Sequence, residues 1–95
     1  MPKGYWIVSI EPTDPDRLER YVEAVTPFLA ERGATYLARG GAHEVMEGAG
    51  RPLNVVVEFP DYASARACYR SPEYQQILAD RLAGATGDLV IVEGV

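Results

Sequence analysis

Three segments of this chain carry apolar side chains at successive positions, so that each would be apolar on both faces of a β-strand. They are GYWIVSIEP (4–12), LNVVVEFP (53–60) and DLVIVEGV (88–95). In the first segment Trp6, Val8 and Ile10 point to one face, and Tyr5 and Ile7 point to the other. A sheet built from such strands needs apolar cover on both of its faces. This requirement limits the folds that the chain can adopt.

Helical patterns lie between the strands. Residues 13–33 show an apolar stripe that follows an N-cap at Asp14, and Pro27 is expected to kink or break this helix. Asp61 caps a second helix, and the Ser71-Pro72 pair ends it and starts a third, because proline disfavours the helical conformation in the residue before it. The apolar stripe of this last helix is expected to comprise Tyr74, Ile77, Leu78 and Leu82. Residues 83–87 are expected to form a loop.

With a further strand at 34–40, the order of elements is β-α-β-β-α-β over a single domain, residues 1–95. This order is typical of an α+β, ferredoxin-like fold, an antiparallel four-stranded sheet with its helices on one face. The helices can cover only that face. The simplest cover for the other is a second copy of the chain, packed sheet to sheet, so the sequence predicts a homodimer.

Composition excludes several classes of function. A formal net charge of −5 opposes binding to nucleic acid, which requires a cationic surface. The chain has one cysteine, Cys68, and one histidine, His43, too few for a disulfide framework or a structural zinc site. No phosphate-binding glycine motif and no membrane-spanning apolar run occurs, so we expect a cytoplasmic protein without cofactor or metal.

Several motifs resemble a known family. GYWI at the start, ARGG, VVVEFPDYASA, CYRSPEYQ and the closing GDLVIVEGV are similar, in order and spacing, to the domain-of-unknown-function 1330 family over nearly the whole chain. The resemblance implies a dimeric α/β barrel, in which two ferredoxin-like subunits pack their sheets together. That group includes cofactor-independent monooxygenases, lactone isomerases, haem-handling enzymes and small-ligand binding proteins, and fold alone does not choose among them.

His43 and Arg39 are the candidate catalytic residues. Histidine titrates near neutral pH and is a natural general acid or base, although an exposed loop histidine beside Glu44 is the alternative. Arg39 precedes Gly40-Gly41, which lets backbone approach closely, and could clamp an anionic group or pair with a glutamate at the strand edge.

Four further residues are candidate ligand contacts. Asn54 and Glu58 share one face of a central strand, where Glu58 is either a base in a cleft or the partner of an arginine across the dimer. Tyr69 and Tyr74 either line a pocket or pack in the core with their hydroxyls hydrogen-bonded. Ser71, between them, has no activating neighbour in sequence and is interpreted as a helix cap.

Two hypotheses for function follow. The first is a homodimer that binds a small anionic or aromatic metabolite, with a cofactor-independent isomerase, lyase or monooxygenase step as its catalytic form. The second is a non-catalytic dimeric module whose polar residues serve caps and interfaces. A pocket of several hundred Å³ favours the first, especially with His43 or Tyr69 inside it, and filled space between helices and sheet favours the second.

Overall fold

The structure, a computed structural model that describes residues 2–95, contains four strands and three helices. In chain order they are β1 (Gly4–Pro12), α1 (Pro15–Glu31), β2 (Thr35–Arg39), β3 (Leu53–Phe59), α2 (Tyr62–Arg70), α3 (Pro72–Gly84) and β4 (Ala85–Glu93). The strands form one sheet in the order β2-β3-β1-β4, and every neighbouring pair is antiparallel. The predicted α+β, ferredoxin-like arrangement, with the first and third strands central, is confirmed.

The helices cover one face of this sheet. Trp6 and Ile10 of β1 and Val57 of β3 point toward the helices and are almost fully buried. The alternate residues Ile7 of β1 and Val90 of β4 point away and stay exposed. The strands are therefore apolar on both faces, as the sequence predicts, and this chain covers one of them.

Helix α1 begins at its predicted cap, where the Asp14 carboxylate accepts a hydrogen bond from the Arg17 backbone N–H at 3.3 Å. It then continues through Pro27 to Glu31, so of the two expected effects of this proline, a kink or a break, the break is wrong. In the turn at that proline the Thr26 hydroxyl donates to the Val22 carbonyl at 2.7 Å. Packing of α1 against α3 and of its buried Val25 and Leu29 in the core keeps the helix intact, although proline lacks one backbone donor.

The predicted break between α2 and α3 is confirmed, and Ser71 makes it. Its backbone is extended, and its hydroxyl donates to the Cys68 carbonyl at 2.8 Å while accepting from the Tyr74 N–H at 3.2 Å. One buried side chain thus caps the end of α2 and the start of α3. The interpretation of Ser71 as a structural cap agrees with these contacts.

Two expectations at the end of the chain are wrong. Residues 83–87 are not a loop, because α3 runs to Gly84 and β4 starts at Ala85. A side chain at Gly84 would lie 2.6 Å from the Leu18 backbone nitrogen, so this glycine allows α1 and α3 to approach closely. Leu82 does not belong to the apolar stripe of α3, since it is 65% exposed while Arg81 beside it is buried.

An aromatic cluster joins α2 and α3 to the sheet. The Trp6 ring centroid lies 5.0 Å from that of Phe59 and 5.1 Å from that of Tyr74. The Trp6 indole N–H also donates to the Ala65 carbonyl in α2 at 2.9 Å. Aromatic rings bury large areas at defined geometries, so this cluster fixes where both helices sit on the sheet.

Replacing Ser71 by alanine should lower the free energy of unfolding by roughly 1–2 kcal/mol, since both helix ends lose their side-chain partner. Chemical denaturation measures the change. Ser64→Ala on α2, where only the backbone N–H bonds to Asp61, is the matched control and should cost less than about 0.5 kcal/mol. Equal effects of the two substitutions would contradict the double-cap role.

Candidate functional site

A cavity of about 310 Å³ lies between α1 and the helix-covered face of the sheet, and we call it the α1 cavity. Its walls come from α1 on one side and β1, β2 and β3 on the other. The apolar wall residues are Trp6, Val8, Ile10, Leu18, Val22, Val25, Leu29, Leu53, Val55 and Val57. Ligand sites in proteins are typically concave and apolar with a few placed polar groups, and the α1 cavity has this character.

Arg39 belongs to this lining, as do Tyr36 and Gly40 beside it. The guanidinium lies 4.5 Å from the centre of the Tyr36 ring and donates to the Thr26 hydroxyl at 3.0 Å. Arg39 is exposed, so it stands where the cavity opens to water. Among the residues that the structure describes it has no carboxylate partner, and the alternative of an ion pair with a strand-edge glutamate is not found within the chain.

Arg81 also lines the α1 cavity, from the last turn of α3, and only 5% of its surface is exposed. One of its terminal nitrogens donates to the Ala85 carbonyl at 3.3 Å. The salt bridges found within residues 2–95 are Arg17–Asp80, Arg32–Glu73 and Arg51–Asp88, none of which involves Arg81. A buried guanidinium without a carboxylate is costly, because its charge has lost water and gained no counter-charge.

Two tyrosine hydroxyls lie near Arg81. The oxygens of Tyr21 and Tyr74 are 2.9 Å apart. Burial raises the pKa of Tyr21 to about 12, against the opposing effects of the hydrogen bond to Tyr74 and the charge of Arg81. Burial and the neighbouring Tyr21 hydroxyl raise the pKa of Tyr74 far above its usual range. Both phenols are therefore neutral hydrogen-bonding groups at physiological pH and not bases.

His43, a predicted catalytic residue, lies outside the lining of this cavity. It is exposed in the segment between β2 and β3, and its Nδ1 lies 3.3 Å from the Gly41 carbonyl oxygen. Tyr69 also lies outside the lining and packs edge-on against Trp6. Tyr74 is fully buried and reaches the cavity only through its hydrogen bond to Tyr21.

Asn54 and Glu58 point to the opposite side of the sheet from the α1 cavity. Asn54 donates to the Arg51 carbonyl at 3.1 Å, and Glu58 accepts from the Tyr5 hydroxyl at 3.2 Å. Both belong to what we call the open face, the sheet surface without helices. On the three strands β1, β3 and β4 it includes Tyr5, Ile7, Ser9, Asn54, Val56, Glu58, Asp88, Val90 and Val92.

Cys68 lies on the buried face of α2, and burial raises the pKa of its thiol to about 11. The thiol is therefore protonated at neutral pH and suits the core, as a small apolar group does. Across residues 2–95 no cluster of three potential metal ligands is found, and no helix there is long and apolar enough to cross a membrane.

The sequence interpretation missed Arg81, Tyr21 and Tyr36 as site residues. Tyr21 follows Leu18 at i+3 and precedes Val25 at i+4, so it lies on the apolar stripe of α1 and, as a phenol, carries a polar group into that stripe. The sequence does contain a signal for Arg81. The apolar stripe of α3 runs through Tyr74, Ile77 and Leu78, and the next position of this stripe, i+7 from Tyr74, is residue 81. An arginine at a core position of a helix indicates a buried charge, and buried charges concentrate at functional sites.

The comparisons with known proteins identify the family. The family model for DUF1330, a domain of unknown function, matches residues 3–95, and the chain belongs to this family. No curated protein matches the chain. The protein is therefore a ferredoxin-like domain of the DUF1330 family, the family that the sequence motifs resemble.

Solved structures share this fold at low sequence identity. A protein of unknown function from Rhodopseudomonas palustris matches with a TM-score of 0.72 and 16% identity, covering 99% of this chain and 82% of that one. SnoaB, a cofactor-independent oxygenase from Streptomyces nogalater, matches with 0.70 and 11%, covering 97% and 92%. A dimeric ferredoxin-like protein of unknown function from Jannaschia sp. CCS1 matches with 0.66 and 22%, covering 96% of each chain. These similarities establish the fold.

Raising the pH above about 10 should destabilise the fold, because tyrosines of the unfolded chain ionise near that value while Tyr21 and Tyr74 in the folded chain resist ionisation. The folded state then binds more protons than the unfolded state, so stability is complete below pH 10 and falls as the pH rises toward the Tyr21 value of about 12.

Tyr74→Phe should make this loss shallower, by up to about 1.4 kcal/mol per pH unit, because one proton difference is removed. Urea unfolding at a series of pH values measures the slope. Tyr62→Phe on α2, outside the hydrogen-bonded pair, is the control, and the same slope in both variants would rule out this coupling.

Proposed function

We propose that this protein is a homodimer that binds a small anionic or aromatic metabolite in the α1 cavity. The observation that supports this most directly is the cavity itself, a preformed apolar space next to the aromatic core. The binding hypothesis requires a space of this size between the helices and the sheet, whereas the hypothesis of a non-catalytic structural module predicts that this space is filled. Arg39 at the opening adds a cation that no carboxylate of the described chain neutralises.

Apolar walls and Tyr36 suit a flat or branched hydrocarbon body, whose transfer from water stabilises the complex by about 25 cal/mol for each Å² buried. The Arg39 guanidinium suits an anionic substituent near the opening, because a charge-assisted hydrogen bond is stronger than a neutral one. A volume of about 310 Å³ lies at the lower end of the range for ligand sites and limits the ligand to a small metabolite.

Binding should be visible through Trp6, the only tryptophan of the sequence and a wall of the α1 cavity. Titration with small aliphatic and alicyclic acids should change its fluorescence, and Val22→Phe should weaken binding at least tenfold (about 1.4 kcal/mol) by filling the cavity. Val45→Phe, exposed between β2 and β3 and outside the lining, is the matched control.

Two outcomes would refute this site. One is that no acid in the series changes the emission of Trp6. The other is that Val22→Phe binds as the wild-type protein does. His43→Ala in the same titration tests the predicted role of His43, which in this proposal lies outside the binding site and should leave affinity unchanged.

A cofactor-independent catalytic step is the second candidate function. It is favoured by the combination of guanidinium groups and neutral phenols around an apolar space, which can stabilise an anion that develops on a bound substrate. SnoaB, described as a cofactor-independent oxygenase, shares the fold. The described lining of the α1 cavity has no carboxylate or imidazole to remove a proton, so binding is the function that the geometry supports better.

The dimer is proposed to form through the open face. Ile7 pairs with Val56 on one side and Val90 on the other, which makes an apolar row across three strands. Ile7 is 40% exposed and Val90 is 56% exposed, and a second copy would bury both. The Jannaschia protein of the same fold is described as dimeric, which supports a second copy as the occupant.

Ile7→Lys should convert the dimer to a monomer, because a charge at the centre of the row would be buried without a partner, at a cost of several kcal/mol. Sedimentation velocity at micromolar concentration measures the change. Leu82→Lys is the control, because Leu82 is also a large aliphatic residue but is 65% exposed on α3, away from the open face, and this variant should leave the dimer intact. A monomeric wild-type protein, or a dimeric Ile7→Lys variant, would refute the proposed interface.

A further inference from the structure

The buried end of the α1 cavity contains more hydrogen-bond donors than acceptors. The Arg81 guanidinium has five N–H groups, and one nitrogen bonds within the described chain, to the Ala85 carbonyl. In residues 2–95, every side-chain nitrogen or oxygen of a buried residue either has a hydrogen-bond partner or retains accessible surface. The other Arg81 nitrogens therefore reach accessible space, and the cavity that Arg81 lines provides it.

The Tyr21–Tyr74 pair adds one more donor at the same place. Tyr74 is fully buried, and within the described residues its hydroxyl has Tyr21 as its one hydrogen-bond partner. If Tyr21 donated to Tyr74, the Tyr74 proton would be buried without an acceptor, at a cost of about 1–3 kcal/mol. Tyr74 therefore donates, and the proton of Tyr21 remains free for an acceptor in the cavity that Tyr21 lines.

Arg81 also has a structural role that must be separated from ligand binding. It lies in the last turn of α3, where a cation is stabilised by the helix dipole, and its bond to Ala85 helps to end that helix. This role uses a positive charge and one donor. The remaining N–H groups of the planar guanidinium have no acceptor from the described chain. The Tyr21 proton has none either.

We infer that Arg81 and Tyr21 form a carboxylate-binding subsite at the buried end of the α1 cavity, so that the ligand is a small apolar organic acid that enters with its carboxylate first. This inference rests on the proposed binding function and deepens it. A carboxylate has acceptors only and matches the fork of a guanidinium, with a second oxygen left for the Tyr21 hydroxyl. It also supplies the counter-charge that Arg81 lacks. The apolar body of the acid then lies between Arg81 and the opening, where Arg39 can bind a second anionic group if the ligand carries one.

The test compares cyclohexanecarboxylate with its neutral amide, cyclohexanecarboxamide, which has nearly the same shape. Calorimetric titration of the wild-type protein should show the carboxylate binding at least about tenfold more tightly than the amide. Arg81→Met should weaken carboxylate binding roughly 10- to 100-fold and abolish the preference. Tyr21→Phe should weaken it by about tenfold and leave amide binding nearly unchanged.

Arg70→Met is the matched control. Arg70 lies in the last turn of α2 as Arg81 lies in the last turn of α3, but it is exposed. The same charge and the same dipole interaction are lost, so carboxylate affinity should stay within about twofold of wild type. Arg81→Lys keeps a cation at the end of α3 and guards against loss of folding in Arg81→Met. It should fold as wild type does and still lose most of the preference for carboxylate over amide.

The outcomes separate the subsite from the binding function. If carboxylate and amide bind equally well and Val22→Phe weakens both, the α1 cavity binds ligands and the Arg81 subsite is refuted. If neither binds, the proposed function fails, and a titration of the wild-type protein with formate decides the subsite by itself. The Arg81 Nε–H resonance should shift with formate and not with formamide, and the absence of a shift would overturn the inference.

Discussion

The packing of Trp6 is the interaction on which the rest of the structure depends. Its ring joins β1 to Phe59 of β3 and Tyr74 of α3, and its indole N–H bonds to the backbone of α2. This fixes α2 and α3 over one half of the sheet with large rings between the layers. Over the other half, α1 lines the space between the layers mainly with the aliphatic residues Leu18, Val22, Val25 and Leu29, which leave part of it unfilled. The α1 cavity follows from this unequal filling.

Much of the fold could be predicted because it is encoded in local patterns. Strand alternation identified which residues of β1 share a face, and Ser71-Pro72 marked the break between helices through the restricted backbone before proline. The expected loop at 83–87 contains two glycines, Gly84 and Gly87, and glycine is common in turns. Gly84 and Gly87 instead allow close approach, since side chains there would collide with the backbones at Leu18 and Ser9. Such contacts join residues distant in sequence, and a local pattern does not contain them.

The candidate site was less predictable for the same reason. Polar residues in apolar strands drew attention to Asn54 and Glu58, but alternation does not state which face holds a cavity, and both lie on the open face. Arg39 was identified through its neighbouring glycines and does line the cavity. In α3 both residue 81 (i+7 from Tyr74) and residue 82 (i+8) fit a helical stripe. Hydrophobicity favours Leu82 for the buried position, but the structure buries Arg81 there. Whether volume remains between layers depends on all side chains together.

A net charge of −5 opposes the approach of an anion. Charges on the surface are screened, however, over about 10 Å at ~0.1 M salt, whereas a pair buried in the protein is screened much less. A guanidinium that is 95% removed from solvent therefore dominates the potential in its own cavity even in an acidic protein. The acidic surface then mainly slows the association of an anionic ligand, and the buried arginine slows its dissociation. Arg81 lies on α3, over the helix-covered face of the sheet, whereas strand alternation places the apolar row of Ile7 on the open face. Binding and self-association can therefore be changed independently.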